Sequence, residues 1–360
     1  MSPPLPPYPF LGLRPFTTAE SSIFFGRAAQ IETMLLKLQD HRFLAVVGAS
    51  GSGKSSLVRA GLLPALEAGM LDARENWQIV ITNPGSSPIA NLANSLEGTS
   101  TPDPKRSAQI EAELRRGPHG LLSVLRRRAQ DSGPILILVD QFEELFRYRR
   151  RSQGGAKRNE SAAFVNLLLD VTKQERMPVF VVVTMRSDFL GDCNAFYGLP
   201  EAMNESQFLT PRLTPDQIRE AITGPLKQFR ANWEPQFLDR VVNDMVADVD
   251  QLPLMEHCLM RCWWRAQRRS TSETESLTLT LSDYEFVGGI DQALSNHADE
   301  VYLELKREND DDLSKDEDEN YLQLKRDKAK ERERIAKHLF RSLCVPGADK
   351  RYTRWPVSVA

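Results

Sequence analysis

FLAVVGASGSGKSSLVRAGLLPAL, residues 43–66, passes from an apolar run through a glycine-rich loop into a helix-like stretch. Gly48, then Gly53-Lys54-Ser55 after a four-residue gap, match G-x-x-x-x-G-K-[ST] in the strand–loop–helix context that the motif needs. Glycines let successive backbone N–H groups turn inward around phosphate oxygens, and a helix N-terminus adds a favourable dipole. Gly48, Ser50, Gly51, Ser52, Gly53, Lys54, Ser55 and Ser56 are thus the expected phosphate cradle. Lys54 is expected on the outer phosphates and the Ser55 hydroxyl on Mg²⁺.

Such a loop calls for an acid at the end of another strand. PILILVD (134–140) is nearly continuous in apolar residues, as a strand covered on both faces should be, and ends in Asp140. Its carboxylate is expected at the sheet's C-terminal edge, as the metal-side acid. Glu143 and Glu144 open the next helix. One of them is expected to orient the attacking water, with a slight preference for Glu144; the other can simply stabilise the helix N-terminus by under about 1 kcal/mol. Arg186 ends the valine-rich run VFVVVTMR (179–186) and is expected near the terminal phosphate, or paired with Asp188 or Asp192.

WQIVIT (77–82) and QFLTPRL (207–213) add two strand candidates, with helix-like stretches at 28–38, 85–131 and 161–174. Strands alternating with helices predict an α/β fold with a doubly wound parallel sheet. After Leu213 the pattern turns helical. Thr214 and Gln217 form a capping box around Pro215, and helix signals run on to Ala266, predicting an all-helical lid. The expected division is a proline-rich lead-in with FFGR (1–40), the nucleotide core (41–211), the helical lid (212–300), a charged linker (301–334) and the start of a winged helix (335–360).

That linker holds an echo: YLELKREN at 302–309 returns as YLQLKRDK at 321–328. The block 308–320 between has eight carboxylates, one lysine and no glycine, unlike a calcium loop, which needs a glycine at its sixth position. It reads as a solvated insertion or local duplication.

With 41% hydrophobic and 26% charged residues the chain has ordinary globular composition, and a net charge of −3 gives no pull toward nucleic acid or anionic membrane. No apolar run approaches the roughly 18 residues of a spanning helix, and MSPPLPPYPF is not a signal peptide, so a cytosolic protein is expected. His257, Cys258 and Cys262 lack a zinc-type CxxC spacing and read as the packed side of a helix. The basic runs 115–128 and 147–158, the second expected as an exposed loop, carry no aromatic interleaving. They read as solvated surface, and nucleic acid is not an expected partner.

Taken together, YPFLGLRPF (8–16), IFFGR (23–27), AVVGASGSGKSSLVRAGLLPAL (45–66), LILVDQFEELF (136–146), VVVTMRSDF (181–189), LTPDQIREAITGPL (213–226), QLPLMEHCLMRCWW (251–264) and YEFVGGIDQALSNHADEVY (284–302) resemble the novel STAND NTPase modules of bacterial signalling proteins. The resemblance implies an ATP/ADP- and Mg²⁺-binding switch, often slow in hydrolysis, oligomeric when active and coupled to a protein effector. A defence role is in keeping with it. It implies that Phe25, Gly26 and Arg27 lie beside the adenine, that Pro253 touches the base, and that Arg186 is a sensor arginine. Asp250-Gln251 stand where many relatives have a glycine before the proline motif. Relatives continue into a winged helix and a sensor, commonly WD repeats. This chain ends in TRWPVSVA with no such repeat, so a fragment or a short member is expected. Gln141 follows Asp140 where many hydrolytic relatives place a glutamate, which keeps a non-hydrolytic nucleotide-binding scaffold open as the alternative. A nucleic-acid-dependent ATPase is a third reading.

Overall fold

The computed structural model describes residues 5–71, 76–98, 103–128, 133–150, 155–174, 177–247, 252–270, 276–307, 344–346 and 352–354. The chain divides into two compact units, Met1–Ile290 and Asp291–Ala360.

The first unit is built on a parallel sheet of five strands: β1 (Phe43–Gly48), β2 (Gln78–Thr82), β3 (Ile135–Val139), β4 (Val179–Arg186) and β5 (Gln207–Leu209). Their order in the sheet is β2-β3-β4-β1-β5. Alternating side chains feed two cores, because successive residues of a strand point to opposite faces. Phe43, Ala45, Val47, Ile135, Ile137 and Val139 pack on one side with helices α4 (Pro88–Glu97), α5 (Pro104–Leu114), α6 (Gly120–Arg128) and α8 (Gly155–Thr172). Leu44, Val46, Leu136 and Leu138 pack on the other with α1 (Ala28–Asp40) and the helix after the glycine loop. That helix runs as α2 (Lys54–Ser56), a wider π-helical stretch Leu57–Leu62, and α3 (Leu63–Glu67). This is the α/β architecture expected from the apolar runs.

β4 lies between β1 and β3, with Arg186 level with Gly48 across the ladder. The sheet order therefore sets the arginine between the glycine loop and Asp140. After β3 the chain turns through Gln141, at φ +57°, into α7 (Glu143–Arg150).

The expected exposed loop from Arg147 is corrected here: Arg147 to Arg150 are the last turn of α7. Leu145, Phe146 and Tyr148 are buried along the helix. The guanidinium carbons of Arg147 and Arg150 lie 5.5 and 5.9 Å from the centre of the Phe189 ring, and that of Arg149 lies 5.2 Å from Phe196. Stacking on aromatic rings lets arginines extend an amphipathic helix that charge density alone would argue against.

Past α9 (Leu199–Glu205), the helical part comprises α10 (Pro215–Gln228), α11 (Pro235–Ala247), α12 (Leu252–Arg269) and α13 (Leu281–Val287). Thr214 and Gln217 cap α10 reciprocally, with Pro215 in its first turn. A short parallel pair, β6 (Asn232–Trp233) with β7 (Thr278–Leu279), ties two of its loops together. His257, Cys258 and Cys262 are buried on α12, the packed helix side expected, and the described residues contain no group of three or more His, Cys, Asp or Glu placed to hold a metal. No described helix is long and apolar enough to cross a membrane.

α14 (Gly289–Arg307) leads into the second unit, where β8 (Cys344–Pro346) pairs antiparallel with β9 (Tyr352–Arg354). The acidic block 308–320, the repeat at 321–328 and the rest of the winged-helix stretch 335–360 lie outside the described residues.

Candidate functional site

The glycine loop leaves β1 at Gly48 and enters α2 through Gly51 and Gly53, at φ +79° and +85°. Both lie in the left-handed region that suits glycine, and that geometry turns backbone N–H groups toward the loop's concave side. Lys54 is buried and its Nζ donates to the carbonyls of Gly48 at 2.9 Å and Ala49 at 2.5 Å. Burial lowers its pKa, opposed by the charge of Glu143.

Asp140, 3% exposed, is held on both oxygens. Its Oδ1 accepts from Ser55 Oγ at 2.8 Å and Thr184 Oγ1 at 2.5 Å; its Oδ2 pairs with Arg59 at 2.8 Å. Thr184 in turn accepts from the Gln141 N–H at 3.0 Å, so the turn after β3 is fastened to β4. The Ser55 hydroxyl and the Asp140 carboxylate are hard oxygen donors side by side, and that donor set fits Mg²⁺, which takes one or two protein oxygens and completes its shell with phosphates and water.

The paired acids after β3 part company. Glu143 is buried and accepts from the Arg186 N–H at 3.4 Å; burial pushes its carboxyl up, against a pull from Lys54. Glu144 turns away and accepts from the Gly85 N–H at 3.0 Å, in the loop before α4. Arg186 pairs with Asp188, as its second reading expected, yet its Nε is buried with no partner among the described residues.

Arg27 is 4% exposed and reaches the loop from behind: its guanidinium donates to Ser52 O at 3.1 Å and Pro211 O at 2.7 Å. Burial alone brings it down to about 10. Phe25 lies flat on α10 at Gly224, where an added Cβ would come within 2.3 Å of the ring. Leu252, at the start of α12, stands 3.3 Å from where a Cβ on Gly53 would sit, so the helical part abuts the glycine loop directly.

One cavity of about 270 Å³ gathers most of these groups. Of the residues singled out in the sequence, Phe25, Arg27, Ser50, Gly51, Gly53, Lys54, Ser55, Ser56, Glu143, Arg186 and Pro253 line it. Gly26, Gly48, Ser52, Asp140 and Glu144 are not in its wall; Asp140 stands behind Ser55. Sequence reasoning missed the lead-in as wall: Gly12 to Phe16 line the cavity, and the Phe16 N–H donates to Ser56 Oγ at 3.2 Å. It also missed Arg59, Thr184 and Glu256. Each had a signal. Arg59 sits one turn past Ser55, Thr184 two residues before Arg186 on one strand face, and Glu256 one turn past Pro253.

A family model described as Novel STAND NTPase 1 matches residues 9–360. No curated protein matches. Among solved structures, Orc1 of Aeropyrum pernix in complex with DNA is 13% identical over 80% of this chain and 69% of that one, with a TM-score of 0.49. Drosophila ORC bound to DNA is 15% identical over 81% of this chain and 65% of that one, at 0.46. Cdc6p from Pyrobaculum aerophilum is 15% identical over 67% and 62%, at 0.42. The chain thus spans less than two thirds of the latter two.

Proposed function

The chain belongs to the Novel STAND NTPase 1 family, and from that premise we propose that it is an ATP-driven switch that binds ATP with Mg²⁺ and hydrolyses it slowly. The observation that carries this is the meeting of Lys54, Ser55, Glu143 and Arg186 in one cavity, with the metal-side acid Asp140 bonded to Ser55. Turned-in N–H groups of the loop hold phosphate oxygens. Lys54 exchanges its loop carbonyls for the outer phosphates, and Arg186, with a free Nε, stabilises charge on the terminal one. Ser55 and Asp140 would hold the Mg²⁺, which neutralises phosphate charge.

Glu143 is the acid placed to polarise water, whereas Glu144 serves the Gly85 loop. Gln141 offers no carboxylate next to Asp140, which is the physical ground for slow turnover. The same residue favours the second reading, a scaffold that holds nucleotide without hydrolysis. Nucleotide-dependent packing of the helical part on the sheet, assembly into a homo-oligomer and a protein effector complete the switch reading, and rest on family membership.

Phosphate release by purified protein tests it. Wild type should release phosphate slowly but above Lys54→Ala. Glu143→Gln should lose about a hundredfold while still binding ATP, and Glu144→Gln should stay within about threefold. Binding without release above the Lys54→Ala background would replace the switch by the scaffold.

A further inference from the structure

One carboxyl group in the cavity has no task in the phosphate chemistry. Glu256 lies on α12 four residues past Leu252 and three past Pro253, so all three share a helix face, and all three line the cavity. The lead-in covers this helix closely: a Cβ on Gly12 would come within 2.9 Å of Met260 Sδ, and Tyr8 packs edge-on to Trp264 at 6.3 Å. Leu13, Phe16, Phe24, Leu213 and Met255 make much of the remaining wall apolar.

Among the described residues the Glu256 carboxyl has one hydrogen-bond partner, its Oε2 accepting from the Leu11 N–H at 3.4 Å. The cations that line the cavity are engaged elsewhere. Arg14 pairs with Glu20, Arg27 with the Ser52 and Pro211 carbonyls, Lys54 with the loop, and Arg186 with Asp188. The acid that shares the cavity is Glu143, and the imidazole of neighbouring His257 is buried, its Nδ1 3.8 Å from the Cβ position of Gly12. With no counterion among the described residues, burial pushes the Glu256 carboxyl up to about 8, opposed by the Leu11 N–H. Burial thus favours its protonated form.

We propose that Glu256 reads the base of the bound nucleotide and selects adenine. This rests on the nucleotide-binding reading above and deepens it. The Leu11 N–H marks Oε2 as the acceptor, which leaves the proton on Oε1, so the group presents donor and acceptor in a fixed order. Adenine offers a matching pair, its amino donor beside a ring-nitrogen acceptor. Guanine does not. On one edge it presents two acceptors, and on the other the donor and acceptor come in reverse order. An ionised carboxylate, with two acceptors, loses the preference.

Competition of unlabelled ATP and GTP against a ribose-labelled fluorescent ATP tests this in the full chain, with folding checked by circular dichroism. Wild type should bind ATP at least about tenfold tighter than GTP. Glu256→Ala should bring that ratio close to one, chiefly by weakening ATP. Glu256→Gln, which keeps an amide donor and a carbonyl acceptor, should preserve it. Raising pH from 6.5 to 9 should erode the ratio in wild type and leave it unchanged in Glu256→Gln. Nucleotide binding with a ratio that Glu256→Ala leaves intact overturns the proposal. Binding of neither nucleotide above the Lys54→Ala level overturns the nucleotide site itself, and the base reading with it.

Discussion

Asp140 takes two hydroxyls on one oxygen and a guanidinium on the other. Its partner Arg59 is 22% exposed in its side chain, while Asp140 is nearly sealed. Removing the cation therefore leaves a buried carboxylate short of charge compensation. Arg59→Met should cost about 1–3 kcal/mol of stability, below the full cost of breaking a sealed pair because Arg59 meets water. On the proposed reading, Mg²⁺ with ATP would bring positive charge back to the same carboxylate. The rise in melting temperature on adding both should be larger in Arg59→Met than in wild type, and EDTA should abolish the excess. Equal rises would mean that Asp140 is not the metal-side acid. Glu256 makes a second prediction at this scale. Its folded pKa, about 8, lies above the ordinary carboxyl value of 4.5, so the folded state holds the proton more tightly. The resulting stability is full below pH 4.5 and is lost as pH rises through 8. Glu256→Gln cannot ionise, so its melting temperature should match wild type near pH 4 and exceed it by about 10 °C at pH 9. A constant difference across that range would place the carboxyl in water.

At the scale of elements, what was legible and what was not follows from the range of the interactions. The runs FLAVV, PILILVD and VFVVVTMR announced buried strands because both faces of a parallel sheet are covered, and β1, β3 and β4 fall there. Thr214, Pro215 and Gln217 announced α10 because capping is local. Contacts that join distant segments were not legible. Nothing in RYRR says that Phe189 and Phe196, some forty residues on, will take up its guanidiniums, so the pattern from Arg147 reads as loop although the helix that Glu143 opens continues through it. Nor could pairing of Glu144 with Gly85 be read from two adjacent glutamates. The lead-in reads only as a proline-rich stretch and is a wall of the cavity. FFGR shows the same limit. Phe25 was placed beside the nucleotide by resemblance, but its bed on Gly224 needs two segments about two hundred residues apart. Gly224→Val would drive the new side chain into the ring, and overpacking of this kind costs about 1–3 kcal/mol. Urea unfolding should show that loss, and nucleotide affinity should fall with it because Phe25 lines the cavity. Gly191→Ala, at a site with open space around the Cβ, should do neither.

At the scale of the molecule, the lead-in, the sheet and the helices through Ile290 form one compact unit, and all three contribute lining to one cavity. A ligand held there touches segments that are far apart in sequence, so its binding energy stabilises their mutual packing rather than any one of them. Free ligand at a hundred times its dissociation constant adds about 2.7 kcal/mol, which for a unit of this size raises the melting temperature by about 5–10 °C. The whole unit should melt in one transition that moves up together with rising ATP and Mg²⁺, whether followed by tryptophan emission in a Trp77→Phe background, which removes the sheet-core tryptophan and leaves Trp263 and Trp264 of α12 among the emitters, or by far-ultraviolet circular dichroism. Lys54→Ala should hold the transition fixed at every nucleotide concentration. If the tryptophan signal melts first and stays put while the circular dichroism shifts, the helical part opens independently of the bound nucleotide. Nucleotide would then be held by the sheet alone, without the coupling that a switch requires.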